Sequence, residues 1–128
     1  MSSAVVLDAS VAVELLLEDP GAAPVPDWLG GSIAPSHFDL EVLSALGRMH
    51  RDGTLAADIV AGHLDGLAGL PVERRPITDL LGEAWRLRNN LSLADALYVA
   101  LAESLGLPLL TADARLAAAY DGAELVRA

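Results

Sequence analysis

The sequence predicts an α/β fold in which helices cover a mainly parallel sheet. Short apolar runs of strand length alternate with longer stretches of helical periodicity along the whole chain. The first of them, Ala4–Leu7, is apolar throughout, as a strand buried on both faces is. Hydrophobic residues make up 53% of the chain and aromatic residues only 4%, so a substantial core must be filled by Leu, Ala and Val. A length of 128 residues suits one domain with one core, residues 1–128.

Ala4–Leu7 reads as the first strand, and Asp8-Ala9-Ser10 leads into the helix VAVELLLE, which Pro20 and Gly21 close. Ala22–Leu29 carries two prolines and has room for a short helix ending at Gly30-Gly31; Ser32–Pro35 follows as a second strand. His37–Arg51 has Phe38, Val42, Ala45, Leu46 and Met49 at helical spacing. Asp52-Gly53 is a turn, and Thr54 is placed to cap a helix through about Leu67. A third strand is expected over Pro71–Arg75 and a further helix over Ile77–Arg88, broken by Asn89-Asn90.

The stretch Leu91–Asp113 organises the rest. Ser92 is a good N-cap, and Asp95 three residues on completes the pattern of a capping box. Leu97, Ala100, Leu101 and Leu105 continue at helical spacing, and Gly106 is placed to end the helix. Leu107–Leu110 is a strand-length apolar run with Asp113 just beyond it. A short helix through Ala119 and a last strand over Ala123–Val126 complete the chain.

Charge and motifs exclude several functions. The formal net charge is −10, and all eight basic residues are arginine. Such a chain is a poor nonspecific nucleic-acid coat, because affinity for phosphate rests on cations. It is still compatible with an enzyme whose acids hold metal ions and whose few arginines touch substrate. With no cysteine there is no disulfide and no thiolate metal site. No apolar run reaches the roughly 20 residues of a membrane span, and no signal-peptide pattern opens the chain, so the cytoplasm is expected. Neither G-x-x-x-x-G-K-[ST] nor G-x-G-x-x-G occurs.

Four acids stand out by position. Asp8 follows the first strand, Glu41 lies early in a helix, Asp95 opens the central helix and Asp113 follows its strand. In a parallel sheet these places share one edge. Two carboxylates about 4 Å apart repel by roughly 4 kcal/mol at an effective dielectric near 20, so a cluster must protonate or bind a cation. All-oxygen ligands favour a hard ion, Mg²⁺ or Mn²⁺. Ser10 and Thr111 flank the same strand ends and offer hydroxyls to support the acids or a water. Each acid also has a structural reading: Asp8 and Asp113 as helix caps, Asp95 as the capping-box acid, Glu41 as a solvated helical acid. Asp39 competes with Glu41, but residues two apart on a helix point about 200° apart, so only one faces a shared site.

At these residues the chain resembles a PIN domain, and within that group the VapC-type toxins of prokaryotic toxin–antitoxin pairs. The resemblance is carried by VVLDASV at Val5–Val11, LEVLSAL at Leu40–Leu46, LADALYVALAESLGLPLLTAD at Leu93–Asp113 and ELV at Glu124–Val126. It implies a three-layer α/β/α sandwich and a metal-dependent endoribonuclease. It carries the acidic positions onto Asp8, Glu41, Asp95 and Asp113, and the hydroxyl positions onto Ser10 and Thr111. It also implies an RNA substrate, a homodimer and a small inhibitory antitoxin, with no membrane. Two positions depart from the family pattern: Ala94 stands where an aromatic is common, and Ser44 where Asn is common.

The expected mechanism is direct in-line attack by a metal-bound water on the phosphodiester. Asp8 and Asp95 are the foremost metal ligands, with Asp113 and Glu41 acting directly or through water. Competing readings are a catalytically inactive PIN-like binding module and a phosphoryl-transfer receiver domain; the latter resemblance implies a lysine, and this chain has none. His37, His50 and His63 form no metal spacing and read as surface or packing residues. Trp28 and Trp85 read as core or interface anchors. The pairs Arg48/Arg51 and Arg86/Arg88 read as solvated helix faces before phosphate grips.

Overall fold

An apolar strand with no polar alternation has to be covered on both faces, and Val5–Leu7 (β1) is: Val6 and Leu7 are fully buried at the centre of the sheet. The computed structural model describes residues 4–18 and 26–126. Within them β1 is flanked by Ser32–Pro35 (β2) and Leu109–Thr111 (β4), with Glu73–Arg75 (β3) and Ala123–Leu125 (β5) at the edges. The order is β3-β2-β1-β4-β5, and every pairing is parallel.

The helices are Ala9–Leu17 (α1), Phe38–Arg51 (α2), Ala57–Gly69 (α3), Leu81–Arg86 (α4), Leu93–Leu105 (α5) and Ala114–Ala119 (α6). α1, α2 and α3 pack on one another, α4 packs on α5, and α6 lies against β4 and β5. Right-handed crossovers put α1–α3 on one face of this sheet and α4–α6 on the other, giving the expected three layers. α2 buries Phe38, Val42 and Leu46, one residue per turn. α5 lies against β1, β2 and β4 and is buried without interruption from Ala96 to Ala102. Its apolar composition, with Ala at three of those seven positions, lets it sit close to the sheet.

Local sequence explains the boundaries and the departures from expectation. Ser92 accepts the Asp95 backbone N–H at the start of α5. Gly106 ends it at φ 65°, and the Leu107 N–H bonds back to the Ala102 carbonyl. That bond delays the next strand: β4 begins at Leu109, two residues later than the apolar run suggests. β1 and β3 likewise start inside their predicted stretches, and β5 stops at Leu125. Thr54 does not cap α3. Its N–H and hydroxyl both bond the Asp52 carboxylate, tightening the turn, and the N-cap position falls to Ala56. The helix expected over Ile77–Arg88 is a 3₁₀ turn at Thr78–Leu80 followed by the short α4. A further 3₁₀ turn at Asp27–Gly31 ends as expected at the glycine pair, whereas the stop at Pro20 and Gly21 lies outside the described residues.

The connections place the functional edge. Helices α1, α2, α5 and α6 all begin on the side where the strands end. Strand order reverses between β1 and β4, and crevices at such a switch point are where open α/β sheets bind ligands.

Leu46→Ala is expected to cost about 2–5 kcal/mol, because it empties a fully buried position between layers. Leu40→Ala, on the same helix but 63% exposed, is expected to change stability by no more than about 0.5 kcal/mol. Urea denaturation of the two variants checks the contrast.

Candidate active site

Asp8 leaves the end of β1 as the N-cap residue of α1, yet its side chain makes no cap bond. Only 6% exposed, the carboxylate turns toward β4. Its Oδ2 accepts from Ser10 Oγ at 2.5 Å and from the fully buried Thr111 Oγ1 at 2.8 Å. Each hydroxyl has one hydrogen, so both are committed to Asp8, and the 3.3 Å approach of Ser10 Oγ to Thr111 Oγ1 is proximity alone. The hydroxyl oxygens are fixed in turn: the Ala112 N–H donates to Ser10 Oγ at 2.9 Å and the Asp113 N–H to Thr111 Oγ1 at 3.0 Å. The Asp8 N–H donates to the Leu110 carbonyl. The ends of β1 and β4 are thereby laced around one carboxylate.

Asp8, Glu41, Asp95 and Asp113 line a single open pocket of about 330 Å³, together with Ser10, Ser92, Arg48 and Arg115 among others. The fold thus brings together all four acids named from the sequence. The capping readings hold beside this for Asp113, which accepts the Arg115 backbone N–H at 2.9 Å and caps α6. At Asp95 the Ser92 bond is made by the backbone. Burial, then the charge of Asp8, hold the Asp95 carboxyl above its ordinary pKa; Ser92 opposes this, and Glu41 and Asp113 add smaller repulsion. Glu41 points here and Asp39 does not. Asp39 pairs with Arg74 at 2.9 Å, and that guanidinium also donates to the Leu67, Leu70 and Val72 carbonyls.

Among the described residues, no three His, Cys, Asp or Glu side chains close into a ready-made metal cage. The arrangement fits a different kind of holder. Mg²⁺ keeps several waters and takes one or two carboxylates plus phosphate oxygens, which an open pocket with one buried and three partly exposed acids supplies. Such a cation would relieve the charge repulsion that adds to burial at Asp95.

Sequence reasoning gave no role at the site to several residues that the structure places in or beside it. His37 is mostly buried, with Nε2 donating to the Ala94 carbonyl at 3.0 Å and 3.6 Å from Glu41. Its ring lies 4.7 Å from that of Tyr98. It is a packing residue, as expected, but one that ties the start of α2 to the start of α5. Burial first, then the charges of Glu41 and Asp8, push the Tyr98 phenol far above its ordinary range, so it stays protonated beneath the acids. Arg48 is exposed, as the solvated-face reading expects, and it also lines the pocket, two turns along the same face of α2 from Glu41. The i, i+7 spacing of Glu41 and Arg48 was the available signal; for Arg115, two residues past Asp113, there was none beyond proximity in the chain.

Residues 5–122 match the PIN domain family, and the chain belongs to that family. Among its relatives are VapC ribonucleases. The chain is 47% identical over 125 residues to Ribonuclease VapC3 of Mycobacterium tuberculosis, across 95% of this chain and 91% of that one. Its fold is similar to the crystal structure of PAE2754 from Pyrobaculum aerophilum, with a TM-score of 0.70 and 26% identity over 94% of this chain and 82% of that one. It is also similar to VapBC-5, a member of the VapBC family of toxin–antitoxin systems from Mycobacterium tuberculosis, with a TM-score of 0.57 and 25% identity over 98% and 99% of the two chains.

The raised pKa of Asp95 sets a stability prediction. Its charged form is penalised in the folded chain, so the penalty is absent below the unfolded value near 3.9 and complete above the folded one. In chelator at neutral pH, Asp95→Asn is therefore expected to melt above wild type, and the gap should close as the pH falls below about 4. Calorimetry across that range checks it; a gap independent of pH would contradict it.

Proposed function

We propose that the chain is a divalent-metal-dependent endoribonuclease and the toxin of a type II toxin–antitoxin pair, with residues 1–128 acting as one nuclease domain. The carrying observation is the convergence of Asp8, Glu41, Asp95 and Asp113 on one pocket. The relation to VapC ribonucleases agrees with it, and PIN-domain VapC ribonucleases are generally divalent-metal dependent. Asp8, Asp95 and Asp113 would hold Mg²⁺ or Mn²⁺, with Glu41 acting through water. When bound, the cation supplies Lewis-acid stabilisation of the phosphodiester and activation of water.

The chain's own residues do the rest. Ser10 and Thr111 both donate to Oδ2 of Asp8 and fix the carboxylate that would hold the ion. They act by orienting a ligand, as supporting hydrogen bonds around a metal do. Tyr98, kept protonated, places an uncharged group under Glu41. The arginines at the rim, Arg48 and Arg115, meet the negative backbone of the substrate.

VapBC-5 belongs to a toxin–antitoxin family, and a net charge of −10 suits a basic antitoxin segment laid across the acids. A homodimer would cover exposed apolar residues of α2, α4 and α5, among them Leu43, Leu81 and Trp85. Among the described residues no helix is long and apolar enough to cross a membrane, and we place the protein with its RNA substrate in the cytoplasm.

EDTA is expected to abolish cleavage of RNA, and Mg²⁺ or Mn²⁺ to restore it. Asp8→Asn should remove activity while the fold persists, read by gel assay and circular dichroism; equal cleavage by variant and wild type would sink the assignment. Thr111→Val, which deletes a hydroxyl donated to Asp8, is expected to lower activity or metal affinity about 10- to 100-fold. Titration calorimetry with Mn²⁺ separates the two effects.

A further inference from the structure

A second cavity of about 340 Å³ adjoins the acid pocket, and the reaction described above does not use it. His37, Leu40, Glu41, Ser44, Arg48 and Ala94 line it. Glu41 and Arg48 belong to both spaces, so whatever fills the second reaches the wall of the first. On α2, Glu41, Ser44 and Arg48 follow one another at i, i+3 and i+7 along one face, a rise of about 10 Å along the helix axis from the first to the last. The opposite wall is the start of α5, where Ala94 precedes Asp95 and its carbonyl is held by His37. Two small side chains, Ser44 and Ala94, leave the space open.

Its chemistry is mixed: apolar at Leu40 and Ala94, a hydroxyl at Ser44, a flat imidazole edge at His37 and a cation at Arg48. Single-stranded RNA presents the same mixture in one nucleotide, a planar base, a hydroxylated sugar and a phosphate. Arginine grips phosphate through parallel hydrogen bonds, and bases taken out of a stack rest on flat side chains and apolar surface. We infer that this cavity is a nucleotide subsite of the proposed nuclease: it receives the nucleotide next to the cleaved phosphodiester, base against His37, Leu40 and Ala94, phosphate on Arg48. The inference rests on the nuclease reading and adds to it the place where sequence preference is set.

The test is a coupling between cavity and base. A fluorescent single-stranded oligoribonucleotide that wild type cleaves at one mapped bond is compared with two analogues. One has an abasic ribose on the 5′ side of that bond, the other on the 3′ side. Wild type is expected to lose about 10-fold in kcat/KM on one analogue only. Ala94→Trp, which fills the cavity, should lose about as much on intact RNA and nothing further on that analogue. Ser44→Leu fills the space from the other wall and must give the same pattern, which guards against a folding defect in either variant. Arg48→Ala should raise KM about 10- to 100-fold on intact RNA, and Arg48→Lys should recover part of the loss. Base removal costing the filled variants the same factor as wild type would overturn the subsite. So would filled variants that cut RNA normally but escape inhibition by the cognate antitoxin, since the cavity would then be a protein-docking site. Failure of the nuclease reading itself is seen separately: wild type with Mg²⁺ or Mn²⁺ would then cut no more RNA than Asp8→Asn, and the inference would fall with it.

Discussion

The structure depends on the burial of one carboxylate between two strand ends. An ionised acid as enclosed as Asp8 is costly unless its oxygens are bonded. The two hydroxyls of Ser10 and Thr111 meet that cost with their only hydrogens. Both hydroxyl oxygens are then pinned by backbone N–H groups of the segment after β4. The network joins residues 8 and 10 to residues 111–113, across the whole length of the chain. Rigid packing of β1 against β4 and α5 below it keeps those few bonds at their lengths.

Around that anchor the fold concentrates negative charge and partly offsets it. Helices α1, α2, α5 and α6 each start at this edge, and a helix start favours a nearby anion. Asp113 uses the effect openly as the cap of α6. The offset is incomplete at Asp95, whose carboxyl is held above its ordinary pKa by burial first and then by the charge of Asp8. A pocket that held its acids comfortably would gain little from a cation; one that leaves them in conflict is ready to bind one. Stability lies elsewhere, in the uninterrupted buried surface of α5 and the Phe38, Val42 and Leu46 row of α2.

The same edge shows why local and distant signals were unequally legible. The capping pattern at Ser92, the glycine stop at Gly106 and the apolar strands were readable because each depends on neighbours in the chain. Thr54 misled because a hydroxyl can bond forward into a helix or back into a turn, and Asp52 was near enough to take it. The helix after Ile77 kept its apolar spacing, yet it opens as a 3₁₀ turn and stops at Arg86, which spacing alone does not reveal. Asp39 and Glu41 could be recognised as mutually exclusive from helix geometry, but the choice needed Arg74, which arrives from β3.

By itself the sequence determined the alternation of strands and helices, the polarity of each face, and the acids that stand at strand ends and helix starts. These follow from periodicity and from backbone preferences that act within a few residues. Only the tertiary structure decided that the four acids share a pocket, that Ser10 and Thr111 serve Asp8, and that His37, Tyr98 and Arg48 belong to the same neighbourhood. The reason is that charge repulsion, burial and hydrogen bonding depend on distance in space, and only the reversal of strand order between β1 and β4 brings the chain's beginning and end to one crevice.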